Sequence, residues 1–133
     1  MNDEFVAKYP KTRIYEGDML TVQSGHIGTS CIITKDFDNS NCHAVIISRV
    51  NREVVHPDYQ AYYLNSLHGK RRLKSIFVGT SIKHINTKDL KLFTVPLPPL
   101  PEQHRIAEIL STTDAHLEKL EAIIGETQLL KKQ

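Results

Sequence analysis

The stretch Phe93–Leu110, FTVPLPPLPEQHRIAEIL, limits the fold of this chain more than any other. Pro96, Pro98, Pro99 and Pro101 lack amide donors and fix their φ angles, so residues 96–100 can be neither central strand nor helix interior. They form a stiff, extended exit from whatever precedes them. Pro101 suits the first turn of a helix, where the missing amide would have had no partner. Glu102 puts negative charge at the helix start, and Lys131 and Lys132 put positive charge in its last turn, both favourable to the helix dipole. Ile106, Leu110, Thr113, Leu117, Leu120, Ile124 and Thr127 recur at alternating spacings of four and three, which is a heptad seam. At 1.5 Å per residue the ~30 residues after Pro101 make a rod of roughly 45 Å. A domain of ~100 residues cannot bury such a rod. Gly125 and the two seam threonines weaken it as an isolated helix. The seam therefore calls for a partner helix; folded back onto its own sheet, the rod would bury only its first half.

Upstream the chain reads as a mixed α/β globule over residues 1–95. Gly17-Asp18 is a turn signal before a short strand, MLTVQ (19–23). Ser24-Gly25 and Gly28 mark a second turn before TSCIIT (29–34). Asp38–Asn41 reads as a loop by composition, and CHAVIISRV (42–50) as an apolar strand. The period then changes. Pro57 and Asp58 open a helix with Tyr59, Tyr62, Tyr63 and Leu67 on one face, and Gly69 stops it. Short strands and turns follow, with one helical turn opening at Thr87. The tyrosines serve either as helix–sheet core or as stacking platforms, and core is the commoner use. The predicted organisation is thus a globule over 1–95, a proline joint over 96–100 and a long helix over 101–133.

The 133 residues carry a net charge of +2 with an uneven layout. Residues 101–133 hold four Lys/Arg against six Asp/Glu, and residues 1–100 hold thirteen against nine. Between Gly69 and Lys91, Lys70, Arg71, Arg72, Lys74, Lys83, Lys88 and Lys91 face only Asp89. Such a segment fits a polyanion partner, or else a solvated basic face. No run approaches the ~18–20 apolar residues that span a bilayer, and the first residues lack an apolar signal core, so a cytoplasmic location is expected. Cys31 and Cys42 lack metal-site spacing; with His43 they are scattered over a strand-like region, and neither a disulfide scaffold nor a metal is expected. No phosphate- or dinucleotide-binding glycine loop and no His-Glu-x-x-His occurs. Ser24 near His26 would be a nucleophile only with an orienting third group, which the turn does not offer. No catalytic residue and no cofactor is assigned.

VPLPPLPEQHRIAEILS followed by a heptad helix resembles the specificity subunits of type I restriction-modification systems. EGDMLTVQSGHIGTSCII and GTSIKHINTKDLKLFTVPLPPLPEQ match the same family in the same order, from about Glu16 to Lys132. The resemblance implies a target-recognition domain that reads one half of a split site in double-stranded DNA. It implies also a helix that pairs antiparallel with a second one, sets the spacing and docks methyltransferase and restriction subunits. Subunits of this family usually hold two recognition domains and two helices; one of each here implies a half-subunit or a fragment. A seam on one helix then predicts a homodimer. Phosphate contacts need cations, and Lys70, Arg71, Arg72, Lys74 and Lys83 are the candidates. Base-edge contacts need short polar groups on protruding turns: Ser24, His26, Thr80, Ser81 and His84. The competing reading is a protein–protein adaptor that works through the helix alone, its basic face incidental.

Overall fold

The computed structural model describes residues 10–131. After a 3-10 turn at Pro10–Thr12 come β1 (Arg13–Ile14), β2 (Met19–Val22), β3 (Ser30–Ile32), β4 (Ser40–Asn41) and β5 (Val45–Ser48). Helices α1 (Pro57–Asn65), α2 (Leu67–Leu73), α3 (Thr87–Lys91) and α4 (Leu100–Lys131) follow. Strands β3, β2 and β5 form an antiparallel sheet in that order, and β1 pairs with β4 separately. The first nine positions of the predicted globule, and Lys132 in the predicted last turn, lie outside the described residues.

Alternation along β2 divides the globule into two apolar layers. Met19 points to the cluster of Ile46, Ala61, Leu64, Leu73 and Ile85, under α1 and α2. Leu20 points the other way, to Ile14 and Ile33. Successive side chains of a strand face opposite sides, so this sheet is covered on both. Helix α1 is locked to β3 by Asn65, whose Oδ1 accepts from the Ser30 amide at 2.8 Å and whose Nδ2 donates to the Ser30 carbonyl at 2.7 Å. The Gly17-Asp18 turn is held by the buried Asp18 carboxylate, which accepts from the Tyr15 amide and from Arg49 Nη2, both at 2.9 Å.

Three local expectations need correction. The Asp38–Asn41 loop contains β4, because Asn39 turns the chain at a φ of 60° and Asn41 is then buried opposite Arg13. The strand expected over 42–50 is confined to Val45–Ser48, since Ala44 adopts a φ of 61° and interrupts it. Gly69 does not stop a helix. The break is at Ser66, whose extended ψ of 157° ends α1 and whose Oγ accepts from the Gly69 amide at 3.0 Å to cap α2. Gly69 is buried inside α2 where a β-carbon would strike the Tyr63 carbonyl, so only glycine lets the two helices approach this closely. The restart also turns Leu67 off the tyrosine face; it is 69% exposed.

Candidate nucleic-acid interface and helix seam

The two glycine-containing turns, far apart in sequence, lie side by side. Ser24 and His84 form an antiparallel bridge, and His84 bridges back to Val78. The Ile85 amide donates to the Gln23 carbonyl at 3.1 Å, and Gln23 Nε2 donates to the Ile85 carbonyl at 3.4 Å. Ile85 is fully buried, so both turns are anchored on the core. Ser24, His26, Thr80, Ser81 and Lys83 are exposed and His84 is half-buried. The bridge gathers all five polar candidates on one pair of adjoining turns.

The basic helix meets the same turns. Buried Gly28 lies directly against the Leu73 side chain at the end of α2. Around Leu73, Lys70, Arg71 and Lys74 are exposed. Arg72 is spent differently. Its Nη1 donates to the Tyr63 hydroxyl at 2.6 Å, its Nη2 donates to Thr94 Oγ1 at 3.0 Å, and its guanidinium lies 4.8 Å from the Phe93 ring centre. A cation held by two hydrogen bonds and a ring face ties α2 to the chain entering the joint. Lys70, Arg71 and Lys74, without Arg72, can therefore meet a phosphate without giving up a structural bond.

The tyrosines of α1 grip the joint and the rod rather than the sheet alone. The buried Tyr59 donates its hydroxyl to the Pro96 carbonyl at 2.8 Å. Tyr62 donates to Asp114 Oδ2 at 2.8 Å, well along α4 from its start at Leu100. Burial, then the Asp114 hydrogen bond and charge, push the Tyr62 hydroxyl up to about 12. A phenol with a raised folded value contributes stability below its ordinary value near 10 and loses it as pH rises toward 12. Urea midpoints followed by circular dichroism from pH 9 to 12 should fall more steeply for the native chain than for Tyr62→Phe; parallel curves would deny the bond any energetic part.

Gln103 is the residue that sequence reading missed. Fully buried in the first turn of α4, its Oε1 accepts from the His56 amide at 2.9 Å. Its Nε2 donates to the carbonyls of Val54 at 3.0 Å and Pro98 at 2.8 Å. One amide thus joins the loop before α1, the proline joint and the rod. His56 itself caps α1 and packs edge-on against His104, ring centres 4.2 Å apart; burial foremost, then His104, lowers its pKa. Its only signal in the sequence was its place in the PLPPLPEQ motif; in the structure Ala107, one turn on, is buried beside it on the same face of α4.

Gln103, Ala107 and Asp114 fall on the docking stripe of α4. At 3.6 residues per turn, the predicted seam lies about a quarter turn away. The globule therefore leaves the seam open along almost its whole length. Ile106 is half-buried, Leu110 and Thr113 are exposed, and Leu117, Leu120 and Ile124 are each more than half exposed. A second apolar line, Ile109, Ile123 and Leu130, runs beside it at sevenfold spacing, with His116 in the gap, and is also exposed. The stripe is thus wider than the two positions per heptad of a simple paired seam.

A two-layer mixed globule that grips the foot of a long projecting helix, with a basic turn-and-helix face, defines the class: a small α/β domain carried on one long C-terminal helix. The family model of the type I restriction modification DNA specificity domain matches residues 1–127, and the chain belongs to that family. It is 30% identical over 124 residues to the MjaVIII specificity subunit of Methanocaldococcus jannaschii, covering 87% of this chain and 28% of the relative. The EcoBI specificity subunit of Escherichia coli is 26% identical over 121 residues, covering 91% and 26%. Among solved structures, the HsdS subunit from Thermoanaerobacter tengcongensis matches with a TM-score of 0.69 at 24% identity, covering 87% of this chain and 30% of that one. The S subunit from M. genitalium matches at 0.62 and 22%, covering 85% and 30%. The chain thus spans under a third of each of these proteins. Among the described residues no helix is long and apolar enough to cross a membrane, and no three His, Cys, Asp or Glu are grouped to hold a metal.

Proposed function

We propose that this chain is a DNA specificity module of a type I restriction-modification complex. Its globule contacts duplex DNA, and α4 sets spacing and assembles partners. The observation that carries the reading is the Ser24–His84 bridge, which makes one surface of two turns far apart in sequence and sets it against the α2 end bearing Lys70, Arg71 and Lys74. Exposed hydroxyls and the exposed His26 imidazole on anchored turns suit base edges, and the neighbouring cations suit phosphates. No catalytic step is assigned to the chain; methyl transfer and cleavage fall to partner subunits.

On this reading α4 pairs antiparallel with α4 of a second copy through Leu110, Leu117, Leu120 and Ile124. The line of Ile109, Ile123 and Leu130 stays apolar after one such pairing, and helices of the methyltransferase subunits cover it. The adaptor reading accounts for the stripe equally well but leaves the clustered turns and cations without use.

Neutralising Lys70, Arg71 and Lys74 together to glutamine should weaken DNA binding by the complete assembly. The slope of log affinity against log salt should fall by about 2.7, at about 0.9 for each phosphate no longer neutralised. Fluorescence anisotropy across a salt series measures this, and an unchanged slope would remove the α2 cations from the interface. Arg72→Gln should instead lower thermal stability.

A further inference from the structure

The hairpin Val78–His84 has an apolar tip. Ile82 is 76% exposed, the most exposed large apolar side chain of the described residues, yet it stands on one of the better-anchored loops. Val78 and His84 exchange both main-chain bonds, at 2.9 and 3.0 Å, and the next residue, Ile85, is fully buried. Gly79 closes the hairpin at a φ of 104°, where a β-carbon would strike the Ile82 carbonyl. The loop therefore folds the Ile82 carbonyl inward and holds its side chain out, in a conformation that only glycine at 79 permits.

The surroundings of Ile82 are polar and cationic. Thr80, Ser81 and Lys83 flank it, Ser24 and His26 lie on the adjoining turn, and no carboxylate occurs in sequence from Gly69 to Lys88. A single exposed apolar side chain flanked in sequence by two hydroxyls and a lysine, on a segment without carboxylates, does not match the broad apolar core of a protein–protein contact. It does match the edge of an A·T pair in the major groove, where a thymine 5-methyl sits beside hydrogen-bonding atoms and near phosphates. Resting on the DNA reading above, we propose that Ile82 is a specificity-determining residue that packs on a thymine 5-methyl group, while Thr80, Ser81 or Ser24 engages neighbouring base edges.

Uracil is thymine without that methyl, which makes the test direct. Random-sequence duplex pools built with thymine or wholly with uracil are offered to the full chain assembled with its methyltransferase subunits. Bound sequences are read out, and affinities for the enriched sites are measured over a salt series. The native chain should prefer the thymine form of its site roughly tenfold, the scale of one altered base contact. Ile82→Ala should bind both forms alike, near the native affinity for uracil, with the salt slope unchanged. Ile82→Val, which keeps a branched apolar group, should retain most of the preference, and matched melting curves for the three chains show that the hairpin is intact. Equal native affinity for the two forms, an undiminished thymine preference in Ile82→Ala, or an equal loss on both forms would each overturn the inference while leaving salt-dependent DNA binding in place. Absence of salt-dependent binding to either pool by the native chain would remove the DNA reading itself, and this inference with it.

Discussion

Replacing Gln103 with leucine should destabilise the fold by about 3–5 kcal/mol, through two carbonyls and one amide left without their partner. Gln103 is fully buried and serves the His56 amide and the Val54 and Pro98 carbonyls at once. Leucine fills similar space but satisfies none of the three. Gln103→Glu is the sharper variant, because a carboxylate can still accept from His56 but has nothing to give to two carbonyls. Its acid group, facing carbonyl oxygens, would titrate above the ordinary carboxylate range. The variant should therefore recover part of the deficit as pH falls from 7 towards 4, whereas the leucine variant should not. Urea unfolding followed by circular dichroism reads the global loss. Hydrogen exchange over residues 96–114 tells whether the rod lets go of the globule first. A loss below about 1 kcal/mol for Gln103→Leu would mean that water reaches the site and the clamp is ornamental.

The second large effect belongs to the open side of the rod. The native chain should sediment as a dimer at tens of micromolar, and Leu117→Asp with Ile124→Asp should leave a folded monomer. In an antiparallel pair each substitution occurs twice, so four buried side chains are removed. At ~1.5 kcal/mol each this is about 6 kcal/mol, or on the order of 10⁴-fold in the dissociation constant, before any cost of burying charge. Both positions are more than half exposed in the single chain, so the substitutions leave its own core untouched. Glu118→Ala, off the stripe, is the control. Sedimentation of the native chain as a strict monomer would count against self-pairing. The same two aspartates should also abolish capture of methyltransferase subunits if pairing organises the shared surface.

Much of this architecture was legible along the chain because it rests on local chemistry. The prolines exclude the middle of a ladder and the interior of a helix while suiting a helix start, and α4 begins at Leu100, one residue before the predicted start. The turn at Gly17-Asp18, the strands at Met19 and Ser30, the helix start at Pro57 and the short helix from Thr87 also follow from residue type and period. The errors came where two segments compete for the same space. Gly69 looks like a helix stop because glycine usually leaves a helix there; it is instead a contact point between α1 and α2, visible only once both are packed. Ser66 could not be chosen over it without knowing that the chain must bend.

The site followed the same division. Composition marked Lys70, Arg71, Arg72 and Lys74 as one group, but a guanidinium's use depends on its neighbours. Tyr63, Thr94 and the Phe93 ring claim Arg72 and leave the others in solvent. Gln103 carried no signal beyond its place in a motif, since a glutamine is ordinarily a surface residue until carbonyls and an amide converge on it.

By itself the sequence determined the joint and the rod, because proline's missing amide and the helical period act over a few residues and need no distant partner. Only the tertiary structure decided that two turns share one bridge, that Arg72 is not free, and that the globule grips α4 a quarter turn away from the seam. Those are long-range contacts, set by which surfaces close on each other when both sides of β2 are buried, and no local pattern encodes them.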